Sequence, residues 1–301
     1  MQNNSFEQQI KVLCTLYINY PLSIISTMHT GGKARYYAVV HSILNLQKII
    51  MLCKQFGVKY VIVGNASNIL FLDKGFDGIV LCTKGLNKIY KRGNKIFAQA
   101  GAMIGNIALF AQNKGLSGLE WTVGIPATIG GATVMNAGAF GGDINSVFDY
   151  AVVLDVVNNK FKKIKKVEYL AQHHKSIFTN NLRYVIISIS LNLTLDVKQK
   201  ILSKTKEILY KRHQQQNVGY PSLGSVFCRG TSVYPPAFMI EKCCLKGFVI
   251  GGAMVSKVHS GYIVNTGNAT SKDVLDLIDF IKQKVKESFG VVLNTEIILG
   301  E

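Results

Sequence analysis

Residues suited to phosphate binding cluster in one glycine-rich stretch, residues 115–142, which reads GLSGLEWTVGIPATIGGATVMNAGAFGG. Glycine occupies eight of its 28 positions, whereas all 301 residues contain 28 glycines. Glycine among bulky apolar residues indicates backbone that approaches another group closely, in conformations that a Cβ would forbid. Gly130 and Gly131 precede a short predicted helix, residues 132–136, whose first N–H groups would be free to bind a phosphate. The alternative is a tightly packed set of loops that binds no ligand.

A second loop with this potential follows the predicted strand 60–63. Its sequence is Gly64-Asn65-Ala66-Ser67-Asn68, and a strand that feeds small polar residues can present N–H groups to a pyrophosphate. The loop is not a GxGxxG fingerprint, and no acidic residue follows at the distance that would bind a ribose, which disfavours a Rossmann fold. Taken alone, the loop is equally consistent with a simple turn.

Two residues of the C-terminal third have side chains suited to proton transfer. Ser225 follows a glycine and precedes a predicted apolar strand, and Glu296 lies in the predicted last strand, 291–299. A carboxylate in an apolar strand is costly unless it is paired or functional. The structural alternatives are a turn hydroxyl for Ser225 and an ion pair with a lysine for Glu296.

Periodicity, caps and turn residues predict the elements that must position these groups. Helices are predicted at 43–56 after the N-cap Ser42, at 103–114 before Gly115, at 197–213, at 237–243, and from the capping box at Thr270 to Gly290. Strands are predicted at 78–83, 95–98, 152–156, 161–164 and 184–193.

Composition places the chain among globular proteins, with 48% hydrophobic and 17% charged residues. The net charge of +17 is compatible with nucleic acid, an acidic membrane surface or small anionic ligands as partners. The lysines are scattered, so a solvated lysine-rich surface explains most of the charge, and a nucleic-acid-binding protein is supported by charge alone. Six cysteines without a CxxC pair indicate a reducing compartment and no zinc site. The polar N-terminus and the lack of a long apolar run predict a cytoplasmic protein without a membrane span.

Four motifs in order carry a resemblance to a known family. They are the glycine-rich stretch at 115–142, YPSLGSVF at 220–227, LKGFVIGGAMVSKVHSGYIVNTGNATSKDVLDLI at 245–278 and NTEIILGE at 294–301. Together they resemble the UDP-N-acetylenolpyruvoylglucosamine reductases (UDP-N-acetylmuramate dehydrogenases), flavoenzymes of peptidoglycan precursor synthesis, over roughly residues 26–301. The chain looks like the compact variant, which lacks an extra substrate-closing loop.

The resemblance implies an α+β fold of three parts. Residues 1–84 and 85–195 would form the two subdomains of an FAD-binding fold of the vanillyl-alcohol-oxidase/PCMH type, and residues 196–301 a C-terminal α+β substrate domain. It also implies that NADPH reduces a non-covalently bound FAD, which in turn reduces UDP-N-acetylglucosamine enolpyruvate. We expect a cytoplasmic monomer with no nucleic-acid partner and no metal.

The resemblance also implies residue roles. Ser225 would donate a proton to the substrate carbanion, Glu296 would act near the substrate carboxylate, and Arg229, His259 and Lys175 would bind substrate. The implied cofactor-binding residues are Gly31, Gly32, Gly64, Asn65, Ala66, Ser67, Asn68, Gly124, Ile125, Pro126, Thr128, Gly130, Gly131, Asn136, Gly138 and Gly142.

One expected residue is missing. The family has a Tyr-Arg pair whose arginine clamps the substrate carboxylate, and His174 stands at the arginine position here. A histidine lacks the permanently charged, bidentate fork of arginine. Lys175 or Arg183 is the alternative cation. The alternative function is therefore an FAD-binding homologue with weak or no turnover.

Overall fold

The computed structural model describes residues 2–172, 174–216, 219–228 and 232–300. Its α-helices are α1 (Gln2–Lys11), α2 (Ile43–Gln55), α3 (Ile104–Asn113), α4 (Ile129–Val134), α5 (Ile144–Val147), α6 (Lys166–Tyr169), α7 (Lys198–Gln216), α8 (Pro236–Lys242) and α9 (Ser271–Phe289). Its strands are β1 (Thr15–Pro21), β2 (Lys33–Val39), β3 (Tyr60–Val63), β4 (Ile69–Phe71), β5 (Phe76–Cys82), β6 (Ile89–Arg92), β7 (Lys95–Gln99), β8 (Leu116–Ser117), β9 (Gly138–Ala139), β10 (Gly142–Asp143), β11 (Phe148–Asp155), β12 (Lys160–Lys165), β13 (Tyr184–Asn192), β14 (Thr194–Leu195), β15 (Ser222–Ser225), β16 (Phe227–Cys228), β17 (Val249–Ile250), β18 (Ala253–Val255), β19 (Tyr262–Asn265), β20 (Asn294–Thr295) and β21 (Ile298–Gly300).

The chain forms two compact units, and each is assembled from three separate segments. Unit 1 comprises Met1–Ile18, Tyr36–Asn65 and Gly78–Lys211. Unit 2 comprises Asn19–Arg35, Ala66–Asp77 and Arg212–Glu301. The three-domain division at residues 84 and 195 that the resemblance implies stays a prediction.

A five-stranded antiparallel sheet with the order β12–β11–β13–β7–β6 is the centre of unit 1. Residues alternate between the two faces of a strand, so each face can supply a different core. Ala151 and Ile189, which pair across β11 and β13, are buried with residues of α3 and α4. Leu154 and Val185, another pair of the same strands, are buried in a second core with α1 and α2. The glycine-rich segment therefore lies on a sheet whose two faces are both covered.

Unit 2 is built around the antiparallel sheet β15–β19–β18–β17 and the long helix α9. Apolar residues recur along α9 at helical spacing, and their stripe is buried against the sheet, as expected for an amphipathic helix. That stripe consists of Val274, Leu277, Ile278, Ile281 and Val285. Two short ladders complete the unit: β16 pairs with β20, and β21 pairs in parallel with β4.

The sequence signals for caps are confirmed. Ser42 Oγ accepts a hydrogen bond from the N–H of Asn45 at the start of α2. Gly115 follows α3 with a φ of 66°, in the left-handed region that favours glycine. Thr270 and Asp273 form the predicted reciprocal capping box of α9, and Gly290 ends that helix with a φ of 67°.

The prediction of one last strand at 291–299 is wrong. The segment forms two short strands, because β20 pairs with β16 whereas β21 pairs with β4. Glu296 lies at the change of partner: its N–H donates to Val226 O at 2.9 Å, and the N–H of Ile298 donates to Asn68 O at 2.9 Å. Glu296 is therefore in a connection and not within a continuous strand.

Among the described residues, none of the helices combines the length and apolar character that crossing a membrane requires. The same part of the chain contains no cluster of three His, Cys, Asp or Glu side chains that could hold a metal ion. All six cysteines are free thiols.

The capping box of α9 predicts the effect of Thr270→Ala. The Thr270 hydroxyl accepts from the N–H of Asp273 at 3.0 Å, and loss of such a cap costs about 1 kcal/mol of unfolding free energy. Urea denaturation should show a lower midpoint for the variant. Ser203→Ala, at an exposed position of α7, is the matched control and should leave the midpoint unchanged or slightly higher. Equal midpoints for Thr270→Ala and the wild-type chain would contradict the capping role.

Candidate active site

In unit 1, the start of the loop at residue 64 is held against the glycine-rich segment. A Cβ on Gly64 would lie 2.0 Å from the Oγ1 of Thr128, so only glycine fits there. The side chain of Asn65 donates to Pro126 O at 2.8 Å and accepts from the ammonium of Lys84 at 3.0 Å. These contacts bring together two of the predicted cofactor segments and place a lysine beside them.

The loop that continues from Asn65 offers unused hydrogen-bond donors. The N–H groups of Asn65, Ala66, Ser67 and Asn68 form no hydrogen bond with any part of the chain that the structure describes. Ala66 has a φ of 49°, in the left-handed region that residues other than glycine rarely adopt. This donor set fits a pyrophosphate.

The prediction that Gly130 and Gly131 precede a helix with free N–H groups is wrong. The helix α4 begins earlier than predicted, after the N-cap Thr128, whose hydroxyl accepts from the N–H of Gly131 at 3.3 Å. The N–H groups of Ile129 and Gly130 donate to Ala102 O and Ala100 O at 2.8 and 2.9 Å. The first N–H groups of α4 are therefore engaged within the protein. They fix α4 on the end of β7 and are not free for a phosphate.

The end of the glycine-rich segment is shaped by close packing. A Cβ on Gly142 would lie 2.2 Å from Cδ1 of the Trp121 indole, so the glycine lets backbone pass over the ring. Gly138 pairs with Asp143 in the β9–β10 ladder, and Ile125 packs against the core of unit 1. Gly124 has a φ of 77° and begins the turn that leads to Pro126. The packed-loop alternative thus accounts for this part of the segment.

The loop that carries His174 is tied to α4 and to Asn136. The Asn136 side chain donates to Gln172 O at 2.9 Å and accepts from the N–H of Asn145 at 2.9 Å. The hydroxyls of Ser176 and Thr179 both donate to Val134 O at 2.8 Å. His174 itself is half-buried with a φ of 54°. The position of the expected arginine is consequently fixed relative to the glycine-rich segment.

The alternative cations differ in availability. Arg183 donates from Nε and Nη2 to the carboxylate of Asp155, with the shortest distance 2.8 Å, and this bonding holds the pKa of Asp155 well below its usual range. The Arg183 guanidinium is thus already bound to a carboxylate, which argues against its role as a substrate cation. Lys175 has an exposed side chain, and its backbone pairs with Gln172.

In unit 2, Gly31 and Gly32 lie beside the turn after β4. Gly31 has a φ of 117°, and the N–H of Gly32 donates to Leu72 O at 2.9 Å. Asn68, at the end of the donor loop, donates from its side chain to Glu296 O at 2.9 Å. A predicted cofactor residue and a predicted catalytic residue are therefore directly connected in unit 2.

The structure brings Ser225 and Glu296 close together through their backbones. Ser225 is the last residue of β15, and not the residue before a strand as predicted, and it pairs with Tyr262 of β19. The next residue, Val226, accepts the hydrogen bond from the N–H of Glu296 at 2.9 Å. Both functional side chains are partly buried. The proton donor and the acid that the resemblance implies thus belong to one cluster.

Burial raises the pKa of Glu296 from 4.5 to about 8. The desolvation of a carboxylate disfavours the charged form, so the side chain carries its proton at neutral pH. A protonated carboxyl can donate a hydrogen bond to an anion, whereas a carboxylate would repel it. The structural alternative, an ion pair with a lysine, stays a prediction.

His259 belongs to the same cluster, and two further members were not predicted. The Nδ1 of His259 accepts from the N–H of Gly261 at 3.2 Å, and its ring lies 4.6 Å from the Tyr262 ring between centroids. Burial is the main cause that lowers the pKa of His259. Tyr262 and the partly buried Arg212 complete the group. Arg229 lies outside the described residues.

Two family models match the chain. A model described as an FAD binding domain matches residues 34–161. A model described as the UDP-N-acetylenolpyruvoylglucosamine reductase C-terminal domain matches residues 215–299. The chain is thus a flavoprotein with an FAD-binding domain followed by a distinct C-terminal domain, and the expected fold class is confirmed.

Relatives over nearly the whole chain identify the family. The chain is 39% identical to the UDP-N-acetylenolpyruvoylglucosamine reductase of Clostridium novyi, over 92% of this chain and 89% of that protein. It is 37% identical to the reductase of Listeria welshimeri over 99% of both chains. The crystal structure of the reductase from Thermus caldophilus is 28% identical with a TM-score of 0.78, covering 96% of this chain and 99% of that chain. The chain belongs to the UDP-N-acetylenolpyruvoylglucosamine reductase family.

The contact between Gly64 and Thr128 predicts that Gly64→Ala weakens FAD binding. The added methyl group has no space, and overpacking of this kind should reduce FAD affinity by roughly tenfold or more. Flavin absorbance after dialysis measures the retained cofactor. Gly105→Ala is the matched control, since nothing lies within 4 Å of a Cβ there, and it should retain FAD normally. Full retention by Gly64→Ala would contradict the constraint.

The raised pKa of Glu296 predicts how stability depends on pH. Between the ordinary value of 4.5 and the folded value of about 8, the folded chain keeps a proton that the unfolded chain has lost. The free energy of unfolding of the wild-type chain therefore falls as the pH rises through this window. Glu296→Gln has no such group, so its free energy of unfolding does not show this fall. The urea midpoint of the variant should rise relative to the wild-type chain from pH 5 to pH ~8 and then level off.

Glu287→Gln provides the control for this measurement. Glu287 is exposed and bound by Lys284, which lowers its pKa, so its replacement should show no such rise between pH 5 and pH ~8. Parallel curves for Glu296→Gln and the wild-type chain would show that Glu296 is ionised in the folded protein.

Proposed function

We propose that this protein catalyses the NADPH-dependent, FAD-mediated reduction of UDP-N-acetylglucosamine enolpyruvate to UDP-N-acetylmuramate in peptidoglycan precursor synthesis. Family membership supports the reaction. The structural observation that supports it most directly is that the backbone of Glu296, a partly buried acid of raised pKa, bonds to Val226, the residue next to Ser225. The reaction adds a hydride to one carbon of the enolpyruvyl double bond and a proton to its neighbour, while NADPH is oxidised to NADP.

Bound FAD would supply the hydride chemistry that links NADPH to the enolpyruvyl double bond. The residues that would hold FAD are the donor loop 64–68, the turn at Gly31 and Gly32, and the glycine-rich positions Gly124, Ile125, Pro126, Thr128, Gly130, Gly131, Asn136, Gly138 and Gly142. We assign the pyrophosphate to the N–H groups of Ala66, Ser67 and Asn68 in unit 2, because those donors are unused in the described chain. Gly130 and Gly131 contribute by fixing α4, since their N–H groups are already bonded.

Ser225 is assigned the role of proton donor. Hydride addition leaves negative charge on the neighbouring carbon, and the Ser225 hydroxyl delivers a proton to it. An aliphatic hydroxyl is a weak acid, so it depends on orientation and on hydrogen-bonding partners. The end of β15, where backbone bonds fix both neighbours, provides that orientation.

Glu296 and the available cations are assigned to the substrate carboxylate. With a pKa of about 8, Glu296 donates a hydrogen bond to the enolate as negative charge spreads into that carboxylate. His174 at the position of the expected arginine, Lys175, Arg229 and His259 are the proposed substrate contacts. A homologue with weak or no turnover is not favoured, because relatives at 37–39% identity over nearly the whole chain are reductases by name.

We further propose that the protein acts in the cytoplasm as a monomer. Six free thiols support a reducing compartment. Light scattering of the purified chain should give the monomer mass of 33.1 kDa. A mass of twice this value would replace the monomer with a dimer without affecting the reaction.

The activity is tested by NADPH oxidation with FAD-loaded protein, with and without UDP-N-acetylglucosamine enolpyruvate. Oxidation that requires the substrate is expected. Ser225→Ala should slow the oxidation of reduced flavin by substrate by roughly 10²- to 10⁴-fold, because proton donation is lost, while flavin reduction by NADPH stays normal. Stopped-flow absorbance separates the two half-reactions. Unchanged flavin oxidation in Ser225→Ala would remove the proton-donor assignment.

A further inference from the structure

One face of the five-stranded sheet of unit 1 carries a row of side chains that crosses every strand. Tyr90 of β6 pairs with Phe97 of β7, which pairs with Ser190 of β13. Ser190 in turn pairs with Tyr150 of β11, which pairs with Lys165 of β12. Directly opposed residues of antiparallel strands point to the same face of a sheet. The row therefore places three aromatic rings on one face, with a lysine at its end.

This row lies on the face opposite to α3 and α4. The strand residues that alternate with it, such as Ile96 of β7, are buried with those two helices. The second core of unit 1, with α1 and α2, covers the row's own face around Leu154, further along β11 than Tyr150. Tyr90 is 58% exposed, and Phe97 and Tyr150 are half-buried. The aromatic row thus lies beyond the covered part of its face.

The three rings contact one another. The rings of Tyr90 and Phe97 are stacked, with centroids 4.9 Å apart and an interplanar angle of 9°. The Phe97 ring meets the Tyr150 ring edge-on, at 6.3 Å between centroids and 60°. The ammonium of Lys163 lies over the Tyr150 ring, 3.5 Å from its centroid. The rings form a continuous platform that a cation covers at Tyr150 and that is exposed at Tyr90.

Basic residues lie on both sides of the row. Arg92 and Lys95 pair with each other on one side, and Lys163 of β12 lies on the other. Residues two positions apart in a strand share a face, so these cations flank the rings. Asp149, at an irregularity of β11, accepts from the Lys95 ammonium at 2.7 Å and neutralises that lysine. Arg92, Lys163 and Lys165 therefore add positive charge to the face.

A sheet face with these two properties suits single-stranded nucleic acid. Unpaired bases stack on aromatic side chains that an antiparallel sheet exposes, while cations beside the rings bind the phosphates. A duplex keeps its bases inside the helix and offers the cations only its backbone. An anionic lipid surface would satisfy the cations but offers no planar groups to stack on the rings. The net charge of +17 favours the approach of any such polyanion.

We propose that this face of unit 1 binds single-stranded nucleic acid: bases stack on Tyr90 and the rings behind it, while Arg92 and Lys163 contact phosphates. The inference goes beyond the proposed reaction and does not depend on it. The sequence predicted no nucleic-acid partner, because its basic residues are scattered along the chain. The sheet gathers two distant segments, 90–97 and 150–165, onto one surface, and their local patterns do not show this.

The first test measures the contribution of stacking. Fluorescence anisotropy of labelled oligouridylate and oligothymidylate, each about 12 nucleotides long, reports binding to the FAD-loaded full-length chain. Tyr90→Leu preserves the net charge and an apolar side chain, so loss of stacking should weaken binding by roughly 5- to 150-fold. Tyr210→Leu, at an exposed tyrosine of α7, is the matched control and should bind as the wild-type chain does. The probe that binds more tightly identifies RNA or DNA as the ligand.

The second test measures the contribution of charge. The affinity of the wild-type chain should fall as the salt concentration rises from about 50 to about 200 mM. Lys163→Gln should reduce the slope of log affinity against log salt by about 0.7, because one phosphate contact to a single strand is lost. Lys206→Gln, at an exposed position of α7, is the matched control and should keep the wild-type slope.

Three results would overturn the proposal. The first is a wild-type chain that binds neither oligonucleotide. The second is equal affinity of Tyr90→Leu and the wild-type chain, or of a single strand and a duplex of the same length, since either assigns the binding to charge alone. The third is binding only to vesicles of equal parts phosphatidylcholine and phosphatidylserine, which would identify a lipid surface. The NADPH oxidation assay tests the proposed reaction separately from all of these measurements.

Discussion

The lack of free space around Thr128 is the constraint on which unit 1 depends. Its hydroxyl caps α4 through the N–H of Gly131, and the same oxygen leaves no room for a Cβ on Gly64. One buried side chain therefore determines both where α4 begins and how closely the donor loop approaches. Because the Val134 carbonyl at the other end of α4 accepts from both Ser176 and Thr179, the constraint extends to the loop of His174. The glycines here serve backbone packing first, since Gly64 and Gly131 both lie against the Thr128 hydroxyl.

Unit 2 places an acid, Glu296, and a hydroxyl, Ser225, in neighbouring backbone segments. Burial keeps the proton on Glu296, and the backbone bond to Val226 sets its distance from β15. Such burial lowers the free energy of unfolding, because a buried polar group loses hydrogen bonds to water that the protein replaces only in part. The cost is consistent with a catalytic group and not with a purely structural one.

Local sequence signals predicted most of the fold, since caps, glycines and periodicity act over a few residues. The capping box at Thr270 and the glycine after α3 are examples. Contacts between residues that are far apart in the sequence could not be predicted from these local signals. The carbonyls of Ala100 and Ala102 that use the N–H groups of α4 come from the end of another strand, and Tyr262 meets Ser225 only through a register shift. The bond of Arg183 to Asp155 likewise joins β11 to the residue before β13. Alternation in β19 could have placed Tyr262 opposite the core, but not beside the serine.

The interleaved composition of unit 2 has a consequence for biosynthesis. β4, from the first quarter of the chain, acquires its parallel partner β21 only when residues 298–300 have been translated. Until then, the edge of β4 lacks this partner, and such edges are prone to aggregation. Unit 1 has all of its residues by Lys211 and can fold while translation continues. Synthesis of this chain thus completes unit 1 well before the ribosome has delivered the last strand of unit 2.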